Sequence, residues 1–142
     1  MLFAKWFNQP PLLNSIEIQR GGEVVAGFEL EVANTIIKRG RGLMGRSSLG
    51  CSDGMLFIYP WSRTARIWMA GTSLPLDVAF VDKEGKIVKI AEKMKPFSRK
   101  PVSSGCPVKW VMELAGGECA RCGMQVGDFV HIVLTRSSPG YF

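Results

Sequence analysis

Residues 76–91, LDVAFVDKEGKIVKIA, constrain the fold of this chain more than any other stretch. Leu76, Val78 and Phe80 alternate with Asp77, Ala79 and Val81, the period of a strand rather than a helix. The chain then turns through Asp82-Lys83-Glu84-Gly85 and returns along Lys86–Ala91. Gly85 supplies the left-handed conformation that closes such a turn. A β-hairpin is therefore predicted, and the rest of the chain must be compatible with a sheet built around it.

Other segments carry the same period. In EVVAGFELEV, residues 23–32, Val24, Ala26, Phe28, Leu30 and Val32 fall on one side and mostly polar residues on the other, which predicts a half-buried strand. Met55–Tyr59, ended by Pro60, and Ala65–Met69 read as two further strands, followed by residues 108–114 and by VGDFVHIVL near the C-terminus. Asn34 or Thr35 offers a cap for a short helix through Met44, with Ile36, Ile37, Gly40, Leu43 and Met44 on its apolar face. AGGECARCG predicts one helical turn closed by Gly123. Short strands with Gly and Pro punctuation and no βαβ rhythm predict a mainly β fold, a small antiparallel sandwich or barrel with one or two short helices.

A chain of 142 residues suits one domain. The expected division is an N-terminal arm over residues 1–15, a β-rich domain over 16–136 and a tail over 137–142. The opening MLFAKWFNQPPLLNS is interrupted by Lys5 and by Asn8-Gln9-Pro10-Pro11, so it lacks the unbroken apolar core of a secretory signal. No window reaches the roughly 18 apolar residues of a membrane span. A cytoplasmic protein is expected, with Trp6 and Phe7 packed on the domain.

The net charge is +6, and the basic residues cluster: Lys38, Arg39, Arg41 and Arg46 in one run, Lys93, Lys95, Arg99 and Lys100 in another. Such runs attract phosphates, anionic surfaces or acidic partners. Gly40-Arg41-Gly42-Leu43-Met44-Gly45 matches G-x-G-x-x-G by letter, yet its glycines close a helix instead of opening one. No acid stands some 20 positions on, where a dinucleotide site needs it.

The four cysteines are Cys51, Cys106, Cys119 and Cys122, with one C-x-x-C at Cys119 and Cys122. A structural zinc site wants four gathered ligands, so no metal and no cofactor is expected; Cys119 and Cys122, with His131 behind them, are outside candidates. His131 is the single histidine, and Ser103-Ser104 with Asp128 lacks the local signature of a nucleophile elbow. Among carboxylates, Asp77 stands out at a strand start after Pro75-Leu76, close in sequence to Trp68, Met69 and Thr72. It serves either as a site residue or as a tie for its own loop through backbone hydrogen bonds.

With RGLMGR, GMLFIYP, WMAGT, PLDVAFVDKEGKIVKI, VMELAGG and VGD in this order, the chain resembles the family called domain of unknown function 192, or uncharacterised protein family 0127, from about Glu23 to Leu134. The resemblance implies a small, mainly β domain and carries no activity with it. The family pattern is similar to W-M-(Lys or Arg)-(Asn or Asp)-T; here Ala70 and Gly71 stand at the third and fourth places.

The expectation is a noncatalytic ligand- or partner-binding domain with a cleft around the Trp68-Met69-x-x-Thr72 and Pro75-Leu76-Asp77 signature. Its ligand-binding residues are taken as Arg41, Arg46, Trp68, Met69, Thr72 and Asp77. One alternative is RNA or other nucleic-acid binding through runs 38–46 and 93–100, with Trp68, Trp110 or Phe97 stacking on bases. A second alternative is a hydrolase using Asp77, alone or with Glu113. The partner is an unidentified small molecule or protein.

Overall fold

In the computed structural model, which describes residues 12–50 and 53–137, the hairpin stands at 76–94 and a sheet has grown around it. The strands are β1 (Leu12–Arg20), β2 (Glu23–Ala33), β3 (Asp53–Ile67), β4 (Leu76–Val81), β5 (Ile87–Met94), β6 (Val102–Ala115) and β7 (Phe129–Ser137). Two short helices interrupt them, α1 (Ile36–Arg41) after β2 and α2 (Glu118–Cys122) after β6. The mainly β class and the short helices agree with the sequence reading.

All seven strands belong to one sheet, in the order β5-β4-β6-β3-β2-β1-β7. Neighbours are antiparallel except β2 and β3, which run parallel. The two edge strands curl toward each other and meet at a single bridge, Lys86 with Phe129. There Val130 N–H donates to Gly85 O at 2.7 Å and Ile87 N–H to Asp128 O at 2.8 Å. Pairing stops at that corner, so the sheet is not closed into a barrel and is not split into the two layers of a sandwich.

Both faces of the sheet are covered. Ile16, Phe28, Leu30, Leu56, Ala79 and Met112 pack in one apolar cluster, and Phe57, Leu43, Met69, Val78, Phe80 and Val111 in the other. That explains β4, in which every residue is buried although its sequence alternates. Successive side chains feed opposite clusters.

Four elements differ from the sequence expectation, the first being β1, which had no counterpart in it and begins within the expected arm. The two strands predicted around Pro60 are one strand, β3, with register irregularities between Ile58 and Arg63 and between Thr64 and Arg66. Pro60 falls where the ladder is already broken, so its missing N–H costs no pairing. β6 begins at Val102, six residues before the strand expected at 108–114. Ile36 and Ile37, expected on the buried face of α1, are each 82% exposed. No residue of the helix is buried, and its anchor is Leu43 just beyond it. Thr35 does cap it, its side chain accepting from Lys38 N–H at 3.1 Å. The expected packing of Trp6 and Phe7 lies outside the described residues.

Candidate functional site

The parallel pair creates the site. β2 and β3 pair only over residues 29–33 and 53–57; past Phe57 the chain of β2 has left the sheet. α1 lies over the part of β3 thus vacated, where Arg39 Nη1 donates to Ile58 O at 2.9 Å. The crossover segment is then fastened twice. Arg46 reaches back to Glu31 through both carboxylate oxygens, at 3.0 and 2.6 Å. Gly45 N–H donates to Gly71 O, and Ser73 Oγ to Arg46 O. Between α1 and the loop carrying Trp68 there remains a cleft of about 190 Å³.

Glu113 lines this cleft together with Phe57 and Tyr59. The Glu113 side chain belongs to β6, the middle of the sheet, and only 5% of the residue is exposed. No described residue forms an ion pair with it, and since no fully buried side-chain oxygen lacks a hydrogen-bond partner, its carboxyl opens onto the cleft. Burial pushes its carboxyl up to about 8, so near neutral pH it is chiefly a carboxylic acid with a proton to donate. Gly42, at φ 50°, roofs it: a Cβ there would lie 3.7 Å from Glu113 Oε2 and 3.3 Å from Phe57 Cζ. Only glycine leaves this space open. Tyr59 stays a phenol, its proton held chiefly by burial against the opposing pull of Arg63 and Arg39.

Three described arginines are neutralised by carboxylates. Arg20 pairs with Asp128, Arg46 with Glu31 and Arg121 with Glu118. Arg39, Arg41, Arg63 and Arg66 meet no carboxylate among the described residues. The Arg39 and Arg63 guanidinium carbons lie 5.5 and 5.4 Å from the centre of the Tyr59 ring. The cleft therefore combines unneutralised positive charge with one neutral acid, an arrangement suited to an anion.

Of the residues predicted from sequence, Arg41, Trp68 and Thr72 line the cleft. Met69 does not, being 1% exposed in the second cluster. Arg46 serves the crossover through Glu31. Ala70 is at the cleft wall, so the family-pattern position of Lys or Arg faces this same space. Gly71 has φ 70°, a conformation that glycine and asparagine share, and Met44 lies against it. Backbone shape accounts for its place in the signature.

Asp77 is fully buried and holds three backbone N–H groups, those of Lys93 at 2.8 Å, Gly117 at 3.0 Å and Cys119 at 2.9 Å. Moreover, Asp77 stands opposite Leu114 in the ladder while Glu113 stands opposite Val78. Facing residues share a side of the sheet, so the two carboxylates point to opposite sides. They cannot act on one bond, which removes the Asp77–Glu113 hydrolase arrangement.

The remaining candidates are dispersed. Ser104 Oγ donates to Cys106 O, and Asp128 is engaged by Arg20, so neither joins His131, which is exposed on the edge strand β7. Burial, with Asp77 beside it, raises the Cys119 thiol far above its ordinary range. Among the described residues no group of three His, Cys, Asp or Glu converges as metal ligands would. Trp110 packs partly buried against the first cluster, whereas Phe97 is exposed.

Sequence reasoning passed over Tyr59, Arg39, Arg63 and Arg66 as a group. Their spacing along β3 and α1 carried no signal, because a strand irregularity brings them together.

Fold and site define a class: a small β domain whose crossover between two parallel strands bears a cationic cleft. The chain belongs to the DUF192 family, described as Uncharacterized ACR, whose model matches residues 16–132. It is similar to a solved structure from Sinorhizobium meliloti 1021 described as a "putative transcription regulator", with 31% identity and a TM-score of 0.82 over 87% of this chain and 95% of that one. It is also similar to a protein of unknown function from Novosphingobium aromaticivorans DSM 12444, with 31% identity and a TM-score of 0.79 over 84% of each chain. No curated protein matches the chain significantly. No helix among the described residues is long and apolar enough to cross a membrane.

Proposed function

We propose that this domain is a noncatalytic binding module whose small-molecule ligand enters the cleft between α1 and the Trp68 loop. The observation that carries the reading is Glu113, nineteen-twentieths buried, without an ion-pair partner among the described residues and lining the same cleft as Arg41. Its carboxyl opens onto the cleft, where a bound group can accept its proton. Trp68 offers an apolar wall, Arg41 a charge and Thr72 a third lining residue. Among the described residues no hydroxyl lining the cleft is hydrogen-bonded to Glu113, which supports binding over chemistry. The three described cysteines are free thiols, in keeping with the cytoplasmic setting that belongs to this proposal.

The test is an amide and indole NMR titration of the full chain with benzoate at low salt. Saturable shifts confined to Arg41, Trp68, Ala70 and Thr72 support the reading. Shifts scattered over the surface, or none, count against it.

One observation favours nucleic acid as a second reading. Met69 N–H donates to Ser98 O and Phe97 N–H to Thr72 O, so the second basic run adjoins the Trp68 loop and exposes Phe97 beside it. The Sinorhizobium relative's description points the same way. Against it, Arg46 is already paired and Trp110 is partly buried. Binding of a mixed-sequence oligonucleotide that weakens steeply with salt would favour it.

A further inference from the structure

A second and larger cleft, about 610 Å³, opens beside the first. Arg39, Gly40, Tyr59 and Arg66 line both. Arg63 and Thr64 line only the outer one, while Arg41, Trp68 and Glu113 line only the inner one. We propose that the two clefts form one bipartite site for a small molecule carrying two anionic oxyacid groups, carboxylate or phosphate. One group is held at Arg41 and Glu113, and the other among Arg39, Arg63 and Arg66. This rests on the inner-cleft reading above and extends it by naming the ligand's chemistry.

The charge pattern carries the inference. The outer cleft gathers three guanidinium groups and is lined by no acid. Like charges so placed repel, and the conformation is relieved by an anion between them. With twelve acids against eighteen Lys and Arg, this protein pairs Arg20, Arg46 and Arg121 with carboxylates and, among the described residues, leaves Arg99 without one. It does the same with Arg39, Arg63 and Arg66, which are gathered around Tyr59. Planar guanidinium groups match the paired oxygens of carboxylates and phosphates. Tyr59 adds a second constraint: with Arg39 and Arg63 over its ring, it stands as the shared wall between the compartments. A ligand that passes it presents a flat or apolar body there, with Ile36 exposed on the outer side. The inner group meets a different partner, the Glu113 proton, so the two ends of the ligand are recognised differently.

The experiment titrates the full chain at low salt with benzoate, terephthalate, phenyl phosphate and 4-carboxyphenyl phosphate, repeated with Arg63→Ala and Arg41→Ala. Arg63 is exposed, and amide spectra verify that both variants stay folded. The dianionic probes should bind about tenfold tighter than their one-ended counterparts, the worth of one added charge-assisted contact. Arg63→Ala should erase that advantage and leave benzoate binding unchanged, while Arg41→Ala weakens every probe. The rank of terephthalate against 4-carboxyphenyl phosphate tells which acid the outer compartment takes. If benzoate binds and the dianions gain nothing, or if their gain survives in Arg63→Ala, the bipartite site is overturned and the inner cleft stands. If no probe binds, both readings fall.

Discussion

The backbone N–H of Cys119 donates to Asp77 Oδ2 across 2.9 Å, fastening α2 to β4. α2 begins without a side-chain cap of its own, since Gly117 stands at that position. Asp77, forty residues upstream of Gly117, acts in its place by also taking the Gly117 N–H. Lys93, held at φ 48° in β5, is the third donor. One carboxylate thus joins three elements.

Asp77→Ala should therefore unfold the domain more readily without touching the cleft. Leaving three donors unsatisfied, the Cys119 N–H buried and the other two partly so, costs roughly 2–3 kcal/mol. Asp77→Asn, which keeps acceptor oxygen, should cost less. Urea denaturation of both variants checks the order; equal stability of Asp77→Ala and wild type would show that the tie is dispensable.

Adjacent residues of the signature should respond oppositely. Trp68 is 53% exposed, so Trp68→Ala should change stability by about 1 kcal/mol or less while weakening benzoate binding. Met69 is buried among Leu43, Leu76 and Phe80, and Met69→Ala should cost about 2–5 kcal/mol. Thermal melts with parallel titrations separate the two effects.

Glu113 should make stability fall as pH rises. The folded protein keeps a proton up to about pH 8 that the unfolded chain releases near its ordinary value of 4.5. Between those values the folded state binds more protons than the unfolded one. Rising pH therefore favours unfolding, by up to about 1 kcal/mol per pH unit. The groups facing this acid are Tyr59 and Arg66 from β3 and Arg39 and Arg41 from α1; the arginines stay charged throughout. Glu113→Gln should abolish the slope across this window, which denaturation at a series of pH values measures. Anion binding should weaken over the same upper range, as the ionised carboxylate repels what the acid had held.

Cys119 should be the slowest of the described cysteines to react. Its thiol is buried and its ionisation is opposed by desolvation and by Asp77, whereas Cys106 and Cys122 are partly accessible. Iodoacetamide labelling at pH 8, followed by peptide mapping, gives the order of reaction.

Much of the sheet was legible in the sequence because its alternation is local. The hairpin at β4 and β5, the strand β2 and the turn of α2 closed by Gly123 each declare themselves within about ten residues. β1 was hidden because Asn14 lies on its buried side, satisfied by Thr135 Oγ1 at 2.7 Å, so the expected apolar period fails there. Pro60 concealed the continuity of β3. At the site, Arg41, Trp68 and Thr72 were within reach of pattern reading. The roles of Asp77 and Glu113 were not: each sits in an alternating strand whose polar face would ordinarily meet water, and only the covering of both faces makes one a tie and the other an unpaired acid. Nor does a sequence show which arginines find acids.

The parallel pairing of β2 with β3 has a further consequence. Parallel neighbours cannot be joined by a tight turn and require a long excursion. The described residues 34–50 belong to that excursion, and they bring Arg39, Arg41 and Gly42 to the cleft as they pass. Recognition is thus lodged in a detour that the topology demands anyway. Its side chains contribute nothing to the pairing of the ladders beneath, so the site and the sheet are built by different residues.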